Sequence, residues 1–428
     1  MDRALYENHL TILKSELVMA LGCTEPIAIA YAAAKARQLL GEMPQHCTVS
    51  CSGNIVKNVM GVTVPNSGGQ RGIDVAATLG IVGGNPDLEL AVLEGVTTQQ
   101  QDEVRRLMKE GFCTCKLIEN VVNLYIVVEL TAGAHTALVE IQDTHKNITR
   151  REKDGVNCLK EQGSVPGQTA QQSATGDRSL LTVDNILDFA AEVALEDVAP
   201  TLENQIKCNM AIAQEGLDNP YGAQVGRTLL ADRDDVPVDV LARAYAAAGS
   251  DARMNGCPMP VVINSGSGNQ GMTLSLPVII YARELGLSHE KLLRALVVAN
   301  LMAIHQKKYI GSLSAYCGVT SAACGAACGI CYLNDQPRSV IYDTITNTIA
   351  TVGGMVCDGA KASCAAKIAT AVETALLGMK MAVHQHAFQP GEGLVEDNVE
   401  DTIISVGRMG RVGMKSTDNE ILNIMLGN

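Results

Sequence analysis

Apolar and polar positions follow two rhythms along this chain, and the places where the rhythm changes divide it. Residues 3–41 carry two helical runs. The second is entered at Pro26, a residue favoured at the first helical position because its missing N–H has no partner there. Cys23 is thereby placed just ahead of a helix N-terminus. Between 45 and 145 the pattern shortens to β-rich runs at 47–52, 117–130 and 137–141, broken by helix-like stretches at 72–80 and 98–110. Residues 144–175 are polar and too poor in apolar side chains to form a core element. From 181 onward amphipathic helical runs recur at 183–197, 236–248, 270–286, 289–305, 338–350 and 398–409, and Thr417 to Glu420 forms a capping-box start for a last helix. The expected fold class is α+β: an α/β domain (45–145) inserted between N-terminal helices (1–44) and a large all-helical domain (181–428), with 146–180 as connector.

Composition narrows the function. The chain has 428 residues, 47% of them apolar, which is enough for a sizeable core in two or three domains. Aromatic content is 3% with no tryptophan, so the core rests on Ala, Val, Leu, Ile, Met and Cys, which suit closely packed helices. The net charge of -13 repels phosphate backbones and anionic lipid, which argues against nucleic acid as a partner. No apolar run reaches the roughly 18 residues of a membrane span, and the N-terminus lacks a basic stretch followed by an apolar one. A cytoplasmic protein with no membrane partner is expected. In such a compartment 14 cysteines are reduced thiols, most of them small buried hydrophobes.

The motifs differ in how well their context supports them. Gly266 to Gly271 matches G-x-G-x-x-G after a short apolar run, but the next segment is a helix where a dinucleotide fold needs a strand ending in an acidic residue. What survives is a helix start rich in small residues and free N–H groups, a seat for a carboxylate, to which Asn269 and Gln270 add side chains. Cys324, Cys328 and Cys331 have the C-x3-C-x2-C spacing of a cluster loop, yet at i, i+4 and i+7 they share one helix face, as core residues do. Cys47, Cys51, Cys113, Cys115, Cys158, Cys208 and Cys257 lack metal-like partners, and no His-x3-His suggests zinc. Lys57, Lys307 and Lys308 are candidate Schiff-base lysines, but no pyridoxal signature surrounds any of them. Cys317, with Cys357 and Cys364 seven residues apart, leaves zinc, a cluster or plain packing open on spacing alone.

Five segments together resemble the L-cysteine desulfidase family, related to the iron-sulfur L-serine dehydratases: Gly22-Cys-Thr-Glu-Pro26, Ser52-Gly-Asn-Ile-Val-Lys-Asn58, residues 264–271, Lys308-Tyr-Ile-Gly311 through Cys317-Gly318, and Val356-Cys-Asp-Gly-Ala-Lys361 through Cys364. The resemblance runs nearly end to end. It implies a serine dehydratase-like fold and a 4Fe-4S cluster held by Cys317, Cys357 and Cys364 with one iron open. It also implies Cys23 as proton acceptor, ionised in part by its place before a helix. Glu25, Ser265, Asn269, Gln270 and Lys308 are the residues expected to bind a small amino-acid substrate, Glu25 through its ammonium group. The implied reaction is β-elimination of sulfide from L-cysteine to pyruvate and ammonia. Gly22-Cys-Thr-Glu25 stands where the serine dehydratases carry Ser-Ser-His-Thr, which favours cysteine over serine. L-serine dehydration by the same mechanism and a non-enzymatic iron-sulfur sensor are the alternatives, and a homodimer is compatible with the resemblance.

Overall fold

A computed structural model describes residues 1–159, 175–311 and 313–428. The chain opens with α1 (Arg3–Glu16), the short β1 (Met19–Leu21) and α2 (Thr24–Leu40), followed by β2 (His46–Ser52), α3 (Gly53–Met60), α4 (Ile73–Gly83) and α5 (Thr98–Lys109). Then come β3 (Cys113–Ile118), β4 (Tyr125–Ala132), β5 (His135–Gln142), β6 (Ile148–Lys153) and β7 (Val156–Asn157). These strands form a six-stranded sheet ordered β3-β2-β4-β5-β6-β7, parallel only between β2 and β3. The apolar run at 117–130 is not one strand: Asn120, in the left-handed region at φ 60°, sits in the turn between β3 and β4. The sheet also runs to Asn157, beyond the boundary expected at 145, because the Arg- and Glu-rich β6 lies next to the two-residue edge strand β7, where its polar side chains stay partly hydrated.

The two N-terminal helices part company. α1 packs on the helices Val183–Glu192, Leu195–Asp218 and His289–Ile310 of the helical part, whereas α2 packs across β4 and β5 and against α4. Its alanine-rich surface allows this: a Cβ at Gly80 of α4 would stand 2.3 Å from the Ala30 carbonyl oxygen, so only glycine permits the approach. Helix α2 starts at Thr24, with Pro26 two residues inside the first turn and Cys23 as N-cap.

The helical part comprises α6 (Val183–Glu192), α7 (Leu195–Asp218), α8 (Val225–Leu230), α9 (Val238–Met254), the short β8 (Pro260–Val262), α10 (Gly268–Glu284), α11 (His289–Ile310), α12 (Val319–Leu333), α13 (Arg338–Val352), α14 (Cys364–Val383), α15 (Val399–Arg408) and α16 (Lys415–Leu426). Helix α12 is its centre, in contact with α10, α11, α13 and α14. Cys324, Cys328 and Cys331 lie on it fully buried, in core positions. The expected capping box is absent: α16 begins at Lys415, so Thr417 is already inside the helix and caps nothing. Among the described residues no helix is long and apolar enough to cross a membrane.

Candidate functional site

A two-stranded antiparallel pair brings distant parts of the chain together. β1 runs beside β8, with Met19 opposite Val262 and Leu21 opposite Pro260. The chain leaving β1 enters Gly22-Cys23, and the chain leaving β8 enters the turn before α10, so Cys23 and the α10 N-terminus become neighbours. Thr24 Oγ1 joins them by donating to the Gly266 carbonyl oxygen at 3.0 Å. A buried amide chain fixes the turn from behind, Asn264 Nδ2 donating to Asn300 Oδ1 at 3.0 Å and Asn300 Nδ2 to Gln205 Oε1 at 2.9 Å.

A second backbone pairing assembles the thiols. Tyr316 bridges Val356 antiparallel, with the Cys317 N–H on the Met355 carbonyl at 2.9 Å and the Cys357 N–H on the Ala315 carbonyl at 2.7 Å. Cys364 follows at the start of α14. The intervening loop turns at Gly359, φ 91°, where a Cβ would meet the Lys57 carbonyl oxygen of α3 at 2.2 Å.

These segments face one cavity of about 900 Å³, lined by Cys23, Glu25, Ser265, Asn269, Gln270, Lys308, Cys317, Cys357 and Cys364. The nine residues expected to bind substrate, carry the proton or hold the cluster therefore border the same space. Cys23 is 2% exposed and donates its thiol hydrogen to Glu25 Oε2 at 3.1 Å. Burial, and then the charge of Glu25, push its thiol well above the ordinary range, with Arg253 opposing only in part. The expected ionisation by the α2 N-terminus is thus corrected: desolvation and a neighbouring carboxylate outweigh the helix.

Burial alone would raise Glu25, but His145 and the Cys23 thiol outweigh it and hold the carboxyl at about 2. Its oxygens also accept from Thr24 Oγ1 at 3.1 Å and Asn58 Nδ2 at 3.3 Å, while His145 Nε2 stands 3.8 Å from Oε1. Surrounded by donors of its own chain, Glu25 has little left for a substrate ammonium; it is placed to hold Cys23.

Ser265, in the left-handed region at φ 49°, donates to Asn264 Oδ1 at 2.9 Å. Gln270 is buried with Oε1 unpartnered among the described residues. Lys308 borders the cavity, but its ammonium donates to the carbonyls of Arg178 at 3.1 Å and Leu181 at 2.7 Å. It therefore anchors the connector. The neighbouring Lys307, fully buried and brought down to about 8 by desolvation against the pull of Cys357 and Cys317, is the lysine beside the thiols.

The neighbouring thiols of Cys317 and Cys357 act on each other, so that Cys357 is held below and Cys317 above the ordinary range; Lys57 and Lys307 assist at Cys357. Among the described residues no three His, Cys, Asp or Glu side chains are grouped to hold a metal ion. A 4Fe-4S cluster is bound at separate corners, so its thiolates must line one space without converging on a point. Three soft donors on one cavity wall, with buried cations beside them, suit such a group.

Two lining residues escaped the sequence reading. His145 sits in the turn between β5 and β6, which reaches over the Gly266 loop, and nothing about one histidine in a polar stretch marks it. Arg253 falls in the last turn of α9, beyond the 236–248 run whose periodicity announced that helix.

The family model for the serine dehydratase alpha chain matches residues 87–423, a span that includes the three clustered cysteines and lies beyond Cys23 and Glu25. A UPF0597 protein of Lachnoclostridium phytofermentans is 50% identical over 99% of this chain and 100% of its own length. One of Desulfitobacterium hafniense is 47% identical over 98% and 97% respectively, and one of Treponema denticola 41% over 100% and 99%.

Proposed function

Because the chain belongs to the serine dehydratase alpha chain family, a family of lyases, we propose that it eliminates sulfide from L-cysteine, giving pyruvate and ammonia. The observation that supports this most is the shared cavity, in which Cys23, hydrogen-bonded to Glu25, lines the same space as Cys317, Cys357 and Cys364. Those three thiolates would hold a 4Fe-4S cluster, which when bound supplies a Lewis-acidic iron for the charge developing on the substrate and its leaving sulfur.

Cys23 is the base. Its own proton passes along the hydrogen bond to Oε2 of the ionised Glu25 carboxylate, while His145 stands 3.8 Å from the other oxygen. The Cys23 thiolate then takes the α-proton of the substrate. The C–H electron pair becomes the Cα–Cβ double bond, and sulfur departs with the C–S pair. The aminoacrylate so formed tautomerises to the imine and hydrolyses to pyruvate and ammonia.

Dehydration of L-serine by the same proton transfer is the second reading, favoured by the family description itself. Side-by-side assay of the anaerobically reconstituted protein separates them. Sulfide and pyruvate in equal amounts from L-cysteine, at a kcat/KM well above that for pyruvate from L-serine, is the expected result; the reverse order would assign the protein to serine. No product from either amino acid, with the cluster bound, would refute both and leave the sensor alternative.

A further inference from the structure

We propose that Arg253, together with the N-terminus of α10, seats the α-carboxylate of the substrate and so restricts this site to α-amino acids. The inference rests on the amino-acid lyase reading above and adds the group that recognises the acid. Arg253 is 2% exposed yet borders the cavity. Its one hydrogen bond among the described residues is from Nη1 to the neutral Asn269 Oδ1, at 3.1 Å; Nε is buried without a partner, and no carboxylate pairs with it. Other cations around this cavity have their compensation: Lys367 has Asp358, Arg178 has Glu16, Lys146 has Glu89, and Lys308 has two carbonyls. Lys307 stands beside Cys317 and Cys357, whose thiolates would answer its charge. Among the described residues Arg253 is the cation left over, and a buried guanidinium without a counter-charge calls for an anionic ligand.

The second element points the same way. Helix α10 spans 17 residues, its N-cap Ser267 makes no side-chain cap, and Ser267, Asn269 and Gln270 of its first turn line the cavity. The N–H groups of its first turn have no acceptor within the helix, and its dipole favours an anion there. Gly268 binds the two features together: a Cβ at that position would stand 2.4 Å from Arg253 Nε. Only glycine lets the guanidinium lie against the helix start. A carboxylate held by both brings the adjoining Cα toward Cys23, whose thiol already feels the charge of Arg253.

The test uses the anaerobically reconstituted holoenzyme, calorimetric titration with L-alanine, which has the carboxylate but no leaving group, and turnover of L-cysteine against cysteamine, which lacks the carboxylate. Arg253→Gln is expected to weaken L-alanine binding and raise KM for L-cysteine by roughly 10- to 100-fold. Its kcat should stay within a few-fold, and the low turnover of cysteamine should not change. Arg253→Lys should fall between, and Gly268→Ala, which keeps the charge but displaces it, should raise KM as well. Unchanged L-alanine affinity and KM in Arg253→Gln, with the cluster retained, would overturn the proposal; if that variant does not fold, the same result in both Arg253→Lys and Gly268→Ala would do so. Should the wild type release no product yet lose L-alanine binding on the Arg253 change, the reaction assigned above fails and the carboxylate seat stands.

Discussion

At the scale of single residues, the centre is the pair Cys23 and Glu25. Desolvation and the Glu25 charge both raise the Cys23 thiol, so removing that charge must lower it. Glu25→Gln in the cluster-free protein is therefore expected to shift the pH profile of Cys23 alkylation, read peptide by peptide by mass spectrometry, toward lower pH. A profile that stays put or moves upward would show that Glu25 does not set the state of the thiol. Gly318 makes a second point of control, since a Cβ there would press on the Gln270 side-chain amide at 2.6 Å. Gly318→Ala should raise KM for L-cysteine several-fold while iron content stays at the wild-type level; an unchanged KM would remove Gln270 from substrate binding. Cys23 was legible because its segment resembles a known pattern. That Glu25 serves the thiol was not, because a carboxylate's role depends on which donors surround it, and these come from residues as far apart as Asn58 and His145.

Among the elements, the turn between β5 and β6 carries the strongest consequence. It brings His145 to Glu25 from a sheet that otherwise contributes little to the cavity wall. If His145 keeps Glu25 ionised and so able to accept the Cys23 hydrogen, His145→Gln should cut kcat by about 100-fold with iron content kept and KM within a few-fold. A raised KM with kcat preserved would place the turn in substrate binding and remove His145 from the proton transfer. Helix α12 gives the converse case. Cys324→Ala and Cys328→Ala remove buried sulfur from core positions, so each should cost about 1 kcal/mol of stability and leave bound iron unchanged; iron loss would contradict their place as packing residues. The periodic helices were readable because a buried stripe at helical spacing imposes itself on the sequence, as in α9, α10, α11 and α13. The pair β1 and β8 was not, since three residues each of Met-Ala-Leu and Pro-Val-Val show no period. Yet that pair brings Cys23 to α10, so the least legible element positions the most conspicuous residue.

For the molecule as a whole, the site depends on contacts between chain ends. Lys57 of α3, 1% exposed and close to Cys357, is paired with Asp418 of α16, and Asn54 Nδ2 donates to the same carboxylate at 2.8 Å. Asp418→Asn would leave a buried ammonium unpaired, at a cost of about 3 kcal/mol, and should be visible as a lower melting temperature and faster loss of iron in air. The division into a sheet-bearing and a helical part was legible from the change of rhythm along the chain. The packing of α2 against α4 and of α16 against α3 was not, because these rest on close approaches at Gly80 and Gly53 that only three dimensions reveal. The account as a whole turns on two separable roles in one cavity, cluster binding by Cys317, Cys357 and Cys364 and proton transfer by Cys23. Iron content and sulfide release from L-cysteine, measured together after anaerobic reconstitution of the wild type, Cys23→Ala and Cys357→Ala, test it most directly. Cys23→Ala should keep its iron and lose turnover while Cys357→Ala loses both; equal activity in all three, or iron lost from Cys23→Ala and kept by Cys357→Ala, would contradict it.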